Sequence, residues 1–327
     1  MKYNFNYRKI CADLLKDLSP KQKEVMVRRF GLKGGERETL ESIGESFGVT
    51  RERVRQVEEE GFAKIKPKIE QIGKTVSFFA KNIKNSGGLR KEDVLLSQLG
   101  GKEFQPQVFF LLTIAEPFKR FTETKELYPF WALGQKAVSL AGKVINNFQD
   151  YLKKAGKPVS LRKYKPPFSV NTSALQSFLE ISKNIQQNQE KLFGLRAWPE
   201  INPRGVKDKA YLVFKKEQKP LHFMQVAGLI GPGTLPQTVH NELIKDPRFV
   251  LVGRGLYALQ EWGYEQGQVK DIILKVLKES QKPLPKEKVV DLVLKQRLVK
   301  ENTVLLNLTN KKYFIKDDQG RYTVKEA

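Results

Sequence analysis

Cysteine and histidine are almost absent from this 327-residue chain, which carries Cys11, His222 and His240 and no others. One thiol cannot close a disulfide within the chain, and these three residues fit no Cys/His zinc spacing, so zinc-finger chemistry is excluded. Long apolar runs are missing too. The longest nearly apolar run, Val108 to Ala115, falls far short of a bilayer span, and the opening MKYNFNYRKI holds no apolar leader core. No P-loop, GxGxxG or GxSxG string occurs, and the scattered carboxylates form no nuclease-like cluster. The expectation is a soluble, cytoplasmic, non-enzymatic protein with no catalytic residues, metal, cofactor, small-molecule substrate or membrane partner.

Positive charge is abundant. Lys and Arg number 59 against 36 Asp and Glu, a net +23 that points to a polyanionic partner. The excess is uneven: residues 1–72 hold 16 basic and 12 acidic side chains, and residues 73–327 hold 43 and 24. Its densest stretch runs through Lys153, Lys154, Lys157, Arg162, Lys163 and Lys165, with no acidic residue between Tyr151 and Leu179. Such a run is often only a solvated surface, but the total charge favours a phosphate-facing role. With 40% hydrophobic and 10% aromatic residues, the chain can still fill several cores.

Periodicity between Thr39 and Ile65 predicts two helices meeting at a tight turn. Leu40, Ile43 and Phe47 make one apolar face, and Val54, Val57 and Ile65, with Phe62 beside them, define the second. Gly44 lies where a bulkier side chain would hold the helices apart. Gly48 suits a left-handed helix end, and Thr50 caps the next helix. With the valines inward, Arg51, Glu52, Arg55 and Gln56 project from the first two turns. These side-chain types read base edges from a helix in the major groove. The plainer alternative is an exposed helix with ordinary charge pairs.

These residues carry a resemblance. Leu18-Ser19-Pro20, Glu24-Val25, Arg29-Phe30-Gly31-Leu32, Thr39-Leu40-Glu41-Ser42-Ile43-Gly44 and the run from Val49 to Glu58 resemble region 4 of sigma-70 family factors. The resemblance implies binding to a −35 promoter element and to the flap of the RNA polymerase β subunit. Carried over, it puts Arg51, Glu52, Arg55 and Gln56 against bases and Thr50, Arg53 and Lys64 against phosphates or polymerase. Glu59, Glu60 and Gly61 depart from the small-basic-small run common in the family. The aromatic cluster by which region 2 captures an unstacked strand has no counterpart, since Trp131, Trp198 and Trp262 stand far apart. A complete, promoter-melting sigma factor is therefore not expected.

Downstream a pattern recurs around Leu89, Val159, Leu221 and Leu284, at separations of 70, 62 and 63 residues. Each anchor has an apolar-periodic helix before it, another just after, a third short helix, and then two short β-like runs, which is the winged-helix order. The predicted architecture is mainly α with short β wings: a helix-turn-helix bundle over 1–72, then winged-helix units over 73–133, 134–203, 204–265 and 266–327. The third unit reads as helices over 208–216, 223–230 and 236–245, with strands either side of Gly253-Arg254-Gly255. There Thr238, Asn241 and Lys245 are candidates for a groove-facing helix, and Arg254 for a wing tip entering a minor groove.

Residues 204–265 are similar to the HARE-HTH winged-helix family, carried by Lys219 to Phe223, Thr238 to Leu243, Asp246 to Val250 and Gly253 to Leu259. Related domains occur in the δ subunit of some bacterial RNA polymerases, in chromatin-associated proteins and beside restriction nucleases. The long acidic tail of δ is not expected from Arg321 to Ala327. His222 and His240 are expected to be structural or DNA-facing, and the tryptophans to seal wings against helices.

Together these readings predict a nucleoid-associated regulator of transcription initiation that binds double-stranded DNA, reads a −35-like element and contacts polymerase. Two alternatives stand beside it: an architectural DNA-binding protein without polymerase contact, and the specificity subunit of a DNA-processing system.

Overall fold

The computed structural model describes residues 5–264 and 267–325. The segment boundary drawn at 265/266, the first four residues of the opening string and the last two of the chain lie outside the described residues. Contacts divide the chain into two compact units between Ala197 and Trp198.

The first unit opens with four helices, α1 (Tyr7–Leu14), α2 (Pro20–Phe30), α3 (Leu40–Phe47) and α4 (Arg51–Ile65). Each starts where a polar side chain accepts the amide three residues ahead: Asn6 from Lys9, Ser19 from Gln22, Thr39 from Ser42, and Thr50 from Arg53. Val25, Ile43, Val54 and Val57 form a small buried core under α2, α3 and α4.

A single 3-10 stretch, Lys66–Ile72, leads into α5 (Gly73–Asn85). Then come β1 (Leu89–Lys91), α6 (Glu92–Gly100), α7 (Gln105–Ile114), β2 (Lys119–Phe121) and β3 (Phe130–Ala132), with sheet order β1-β3-β2. The same sequence of elements follows in weaker form. α8 (Gln135–Ala155) precedes the anchor Val159, which bridges to Phe193, and α9 (Thr172–Glu180) precedes the paired strands β4 (Ile185–Gln187) and β5 (Phe193–Leu195). The helix expected just after Val159 is reduced to the 3-10 turn Leu161–Lys163. Pro166 and Pro167 lack amide donors and restrict the residues before them, so the turn cannot lengthen.

Two further rounds make the second unit. The first comprises α10 (Gly205–Glu217), β6 (Leu221–His222), α11 (Phe223–Ile230), α12 (Pro236–Lys245), β7 (Phe249–Gly253) and β8 (Leu256–Leu259), with order β6-β8-β7. The second comprises α13 (Val269–Ser280), β9 (Leu284–Pro285), α14 (Lys286–Leu294), α15 (Glu301–Leu308), β10 (Phe314–Lys316) and β11 (Arg321–Val324), ordered β10-β11-β9. The protein is thus mostly helical with small antiparallel sheets, as the periodicities predicted. No described helix is long and apolar enough to cross a membrane.

One feature of the first unit departs from five separate segments. A continuous cluster of buried side chains runs from Tyr7 through Met26, Phe30, Ile65 and Phe79 to Phe110 and Trp131. Residues 1–72 therefore share a core with residues 73–133. The reason is α7, whose run Val108 to Leu112 is buried at every position. A helix apolar all round must be covered on all sides, and here α1 and α2 supply the cover. Tyr7 Oη donates to the Leu99 carbonyl at 3.0 Å and Gln107 Nε2 to the Leu32 carbonyl at 3.0 Å, tying the two segments across the seam. Cys11 lies within this core, and burial pushes its thiol up to about 12, so it stays protonated and unreactive.

Candidate nucleic-acid interface

α4 is seated on α3 through Val54 and Val57, and the seat is close. A β-carbon on Gly44 would come within 2.7 Å of the Val49 carbonyl oxygen, and Gly48 ends α3 at φ +64°. The turn is therefore as tight as the glycines promised. Seating the valines inward turns Arg51, Glu52, Arg53, Arg55 and Gln56 outward, and all five are exposed.

On that face Arg55 grips Glu52, with Nη2 to Oε1 at 2.7 Å and Nε to Oε2 at 2.9 Å, and also pairs with Glu59. The hydrogen bonds from Arg55 hold the Glu52 carboxyl below the usual range. Arg53 Nη1 donates to Gln56 Oε1 at 3.0 Å. Exposed pairs of this kind contribute little to stability, so exchanging them for base edges or phosphates costs little.

Residues 14–66 match the family Sigma-70, region 4. The same segment is similar to RNA polymerase sigma factor SigA of Microcystis aeruginosa, with 42% identity over 59 residues covering 18% of this chain and 14% of that protein. SigA of Nostoc sp. (strain PCC 7120 / SAG 25.82 / UTEX 2576) is 45% identical over 59 residues, 18% of this chain and 15% of the relative. SigA1 of Synechococcus elongatus gives the same figures. The chain thus spans only 14–15% of the length of these curated relatives. The region 4 match points to DNA binding in transcription.

Within the region 4 module the remaining candidates separate along α4. Thr50 Oγ1 caps the helix by accepting from the Arg53 amide at 3.2 Å. Lys64 lies at the far end, about 21 Å away at 1.5 Å per residue. Its Nζ donates to Gln22 Oε1 at 3.0 Å, and Gln22 Nε2 donates to Glu60 Oε2 at 3.1 Å. The acidic residues that depart from the family pattern thus have work within the chain: Glu59 on Arg55, and Glu60 on the α2–α4 seam. Gly61 is buried against Met26, whose terminal methyl would stand 2.7 Å from an added β-carbon.

Elsewhere in the first unit, the helices that precede the paired strands of its two rounds, α7 and α9, are covered. α7 is interior. α9 buries Ala174, Leu175, Ser177, Phe178 and Leu179, and Ser177 Oγ donates to the Leu89 carbonyl at 2.7 Å. Neither presents an open face like that of α4.

The basic run is open. Lys153, Lys154, Lys157, Arg162, Lys163 and Lys165 are all exposed, on the last turn of α8 and the loop beyond it. Tyr164 pins that loop: it is buried, its ring lies 4.7 Å from Phe148, and its Oη donates to Asn147 Oδ1 at 2.7 Å. Six cations therefore share one anchored segment, and Lys153 is paired with Asp150 at 3.5 Å.

In the second unit Thr238, Asn241 and Lys245 are exposed along α12, and Arg254 is exposed at the β7–β8 turn. Leu235 and Ile244 are exposed beside them, so this face mixes apolar and polar groups. Both histidines have structural partners. His222 caps α11, its Nδ1 accepting from the Met224 amide at 3.4 Å. The His240 ring packs edge-on to Phe223 at 4.4 Å and to Tyr257 at 5.8 Å. Trp131 is buried against Phe109 at 5.7 Å, and Trp262 meets Phe214 of α10 at 6.2 Å beyond the end of β8. These two tryptophans pack at the sheet–helix junctions of their segments.

Sequence reasoning missed Arg29, Arg37, Glu58 and Arg120. They line a cleft of about 530 Å³ beside α4. No periodicity could have found it, because its lining comes from α2, the loop after it, α4, α7, β2 and β3, up to 102 residues apart.

Proposed function

We propose that this protein is a sequence-specific DNA-binding regulator of transcription initiation, with α4 lying in the major groove of a −35-like element. The observation that carries the reading is the joint exposure of Arg51, Glu52, Arg55 and Gln56 on the first two turns of a helix whose opposite side is locked by Val54, Val57 and Gly44. Thr50 and Arg53 flank that face for phosphate contact. The second unit and the rounds over 73–133 and 134–203 are winged-helix units in this reading, and 204–265 is of HARE-HTH type. The cations of 153–165 hold neighbouring phosphates, so that several weak contacts act together through effective concentration. The protein works on the nucleoid as a binding protein and not as an enzyme. Promoter opening, a property of whole sigma factors, is no part of the proposal.

Polymerase contact belongs to the proposal as its second arm, because the relatives are named as RNA polymerase sigma factors. The alternative, an architectural protein without polymerase contact, draws on the burial of the region 4 module's rear surface under α7, which leaves less of the module open to a protein partner.

Two measurements separate these readings. Equilibrium binding of the full chain to a −35-bearing duplex and to a shuffled one should differ by tenfold or more, and equal affinities would remove direct readout. Retention of core polymerase by the immobilised chain supports the initiation role, and its loss leaves the architectural one.

A further inference from the structure

The geometry points to a binding site for a small aromatic anion, of the nucleoside phosphate class, in the cleft between α4, α7 and the β2–β3 strands. The site is independent of whether α4 reads DNA. Its apolar lining is aromatic: Phe30, Phe62, Phe109, Phe118 and Trp131. Its polar lining is mostly cationic: Arg29, Arg37, Lys119 and Arg120, with Glu58 the one acid. At about 530 Å³ it lies within the size range of small-molecule sites.

Three details fit a ligand better than simple packing. Trp131 is 1% exposed, yet its indole N–H has no acceptor among the described residues. A buried donor left unpaired is costly, and a ligand oxygen or ring nitrogen would satisfy it. Arg37 forms no ion pair among the described residues, and its guanidinium lies 4.1 Å from the Phe109 ring centre, where it remains available to an anion. Arg120 is fixed by a two-pronged contact with the buried Glu92, at 2.5 and 2.9 Å, and lies 5.2 Å from the same ring. Two guanidinium groups thus border one aromatic ring, one of them held rigidly, which suits a phosphate joined to a flat ring. Glu58 belongs to α4 and meets Arg29 at 3.3 Å, so a bound anion competes with Glu58 for Arg29.

The test is titration of the full chain with ATP, adenosine and inorganic triphosphate as probes. In a Trp198→Phe, Trp262→Phe background, Trp131 is the single indole and reports occupancy by its emission. ATP should saturate one site, with adenosine and triphosphate each at least tenfold weaker. Arg37→Ala should weaken ATP at least tenfold. Arg37 is exposed, so this variant keeps the core intact. Lys84→Ala removes the same charge from an exposed position on α5 outside the cleft and should change ATP affinity less than twofold. Failure to saturate at millimolar ATP, triphosphate binding as well as ATP, or equal losses in the two variants would overturn the proposal.

Discussion

Arg55 and Glu52 clasp one another on the open side of α4 through two parallel contacts, at 2.7 and 2.9 Å, three residues apart on the same helix. Each is a candidate to read bases, and each must release the other to do so. The clasp orders the pair in the free protein, and both ends of it point away from the core.

Replacing Gln56 or Arg55 with alanine should therefore alter which duplexes are preferred more than how tightly any duplex is held. Each change is expected to cost about 1–3 kcal/mol of discrimination between preferred and mismatched sequence. Glu52→Ala removes one of the two carboxylates that hold Arg55, leaving Glu59, and should also broaden the sequences accepted. Competition binding with preferred and randomised duplexes measures all three.

Lys153→Ala should behave differently. Lys153 lies on the exposed cationic segment and carries no base-reading geometry. Its loss should weaken every duplex alike and reduce the slope of log K against log salt by about 0.9. A sequence-dependent loss would show that the segment does more than hold phosphates.

The helix turn makes its own prediction. Gly44→Val places carbon where the Val49 carbonyl already stands, 2.7 Å from the new β-carbon. The helices must part, at an expected cost of about 1–3 kcal/mol. The fall should appear as a lower urea midpoint, with DNA selectivity lost alongside it.

Glu58 gives a dependence on pH. Burial raises its carboxyl above the ordinary value, against the opposing pull of Arg29. A raised folded value means that the folded state holds the proton more tightly. The stability it confers is present below the unfolded value of about 4.3 and is lost as pH rises through the folded value. Glu58→Gln should lack that loss, so its advantage over the parent should grow from pH 4 upward and level off. Urea midpoints across that range decide the sign.

Arg297 joins the two halves of the second unit. It is 4% exposed and donates to the carbonyls of Leu251 and Gly267, while the Leu298 amide donates to the Val252 carbonyl at 3.0 Å. Arg297→Met should leave those carbonyls unpaired at about 1–3 kcal/mol each. Hydrogen exchange at Leu298 should accelerate, and unfolding of the second unit should broaden or split into two steps.

Local features were legible from the chain. Helices over 223–230 and 236–245 begin and end where the sequence placed them, because Pro236 fits a first turn and His222 caps its successor. The helix read as 208–216 begins at Gly205, since the Asp208 carboxylate accepts from the Arg204 amide at 2.8 Å and draws three more residues into the turn. The exposed face of α4 followed from two valines and two glycines. What the sequence hid was long-range: α7 and α9 covered, Arg120 meeting Glu92 from 28 residues away, and the Trp131 N–H without an acceptor among the described residues. The burial of α7 was signalled by its unbroken run from Val108 to Leu112, although nothing in that run names the helices that cover it.

The central claim is that α4 reads base pairs. It is tested most directly by selecting bound sequences from a fully random duplex library with the full chain and, in parallel, with its Gln56→Ala variant. The claim predicts one short enriched motif for the parent, with the variant degenerate at one or two positions of it. No enrichment for the parent, or the same motif unchanged in the variant, would contradict it.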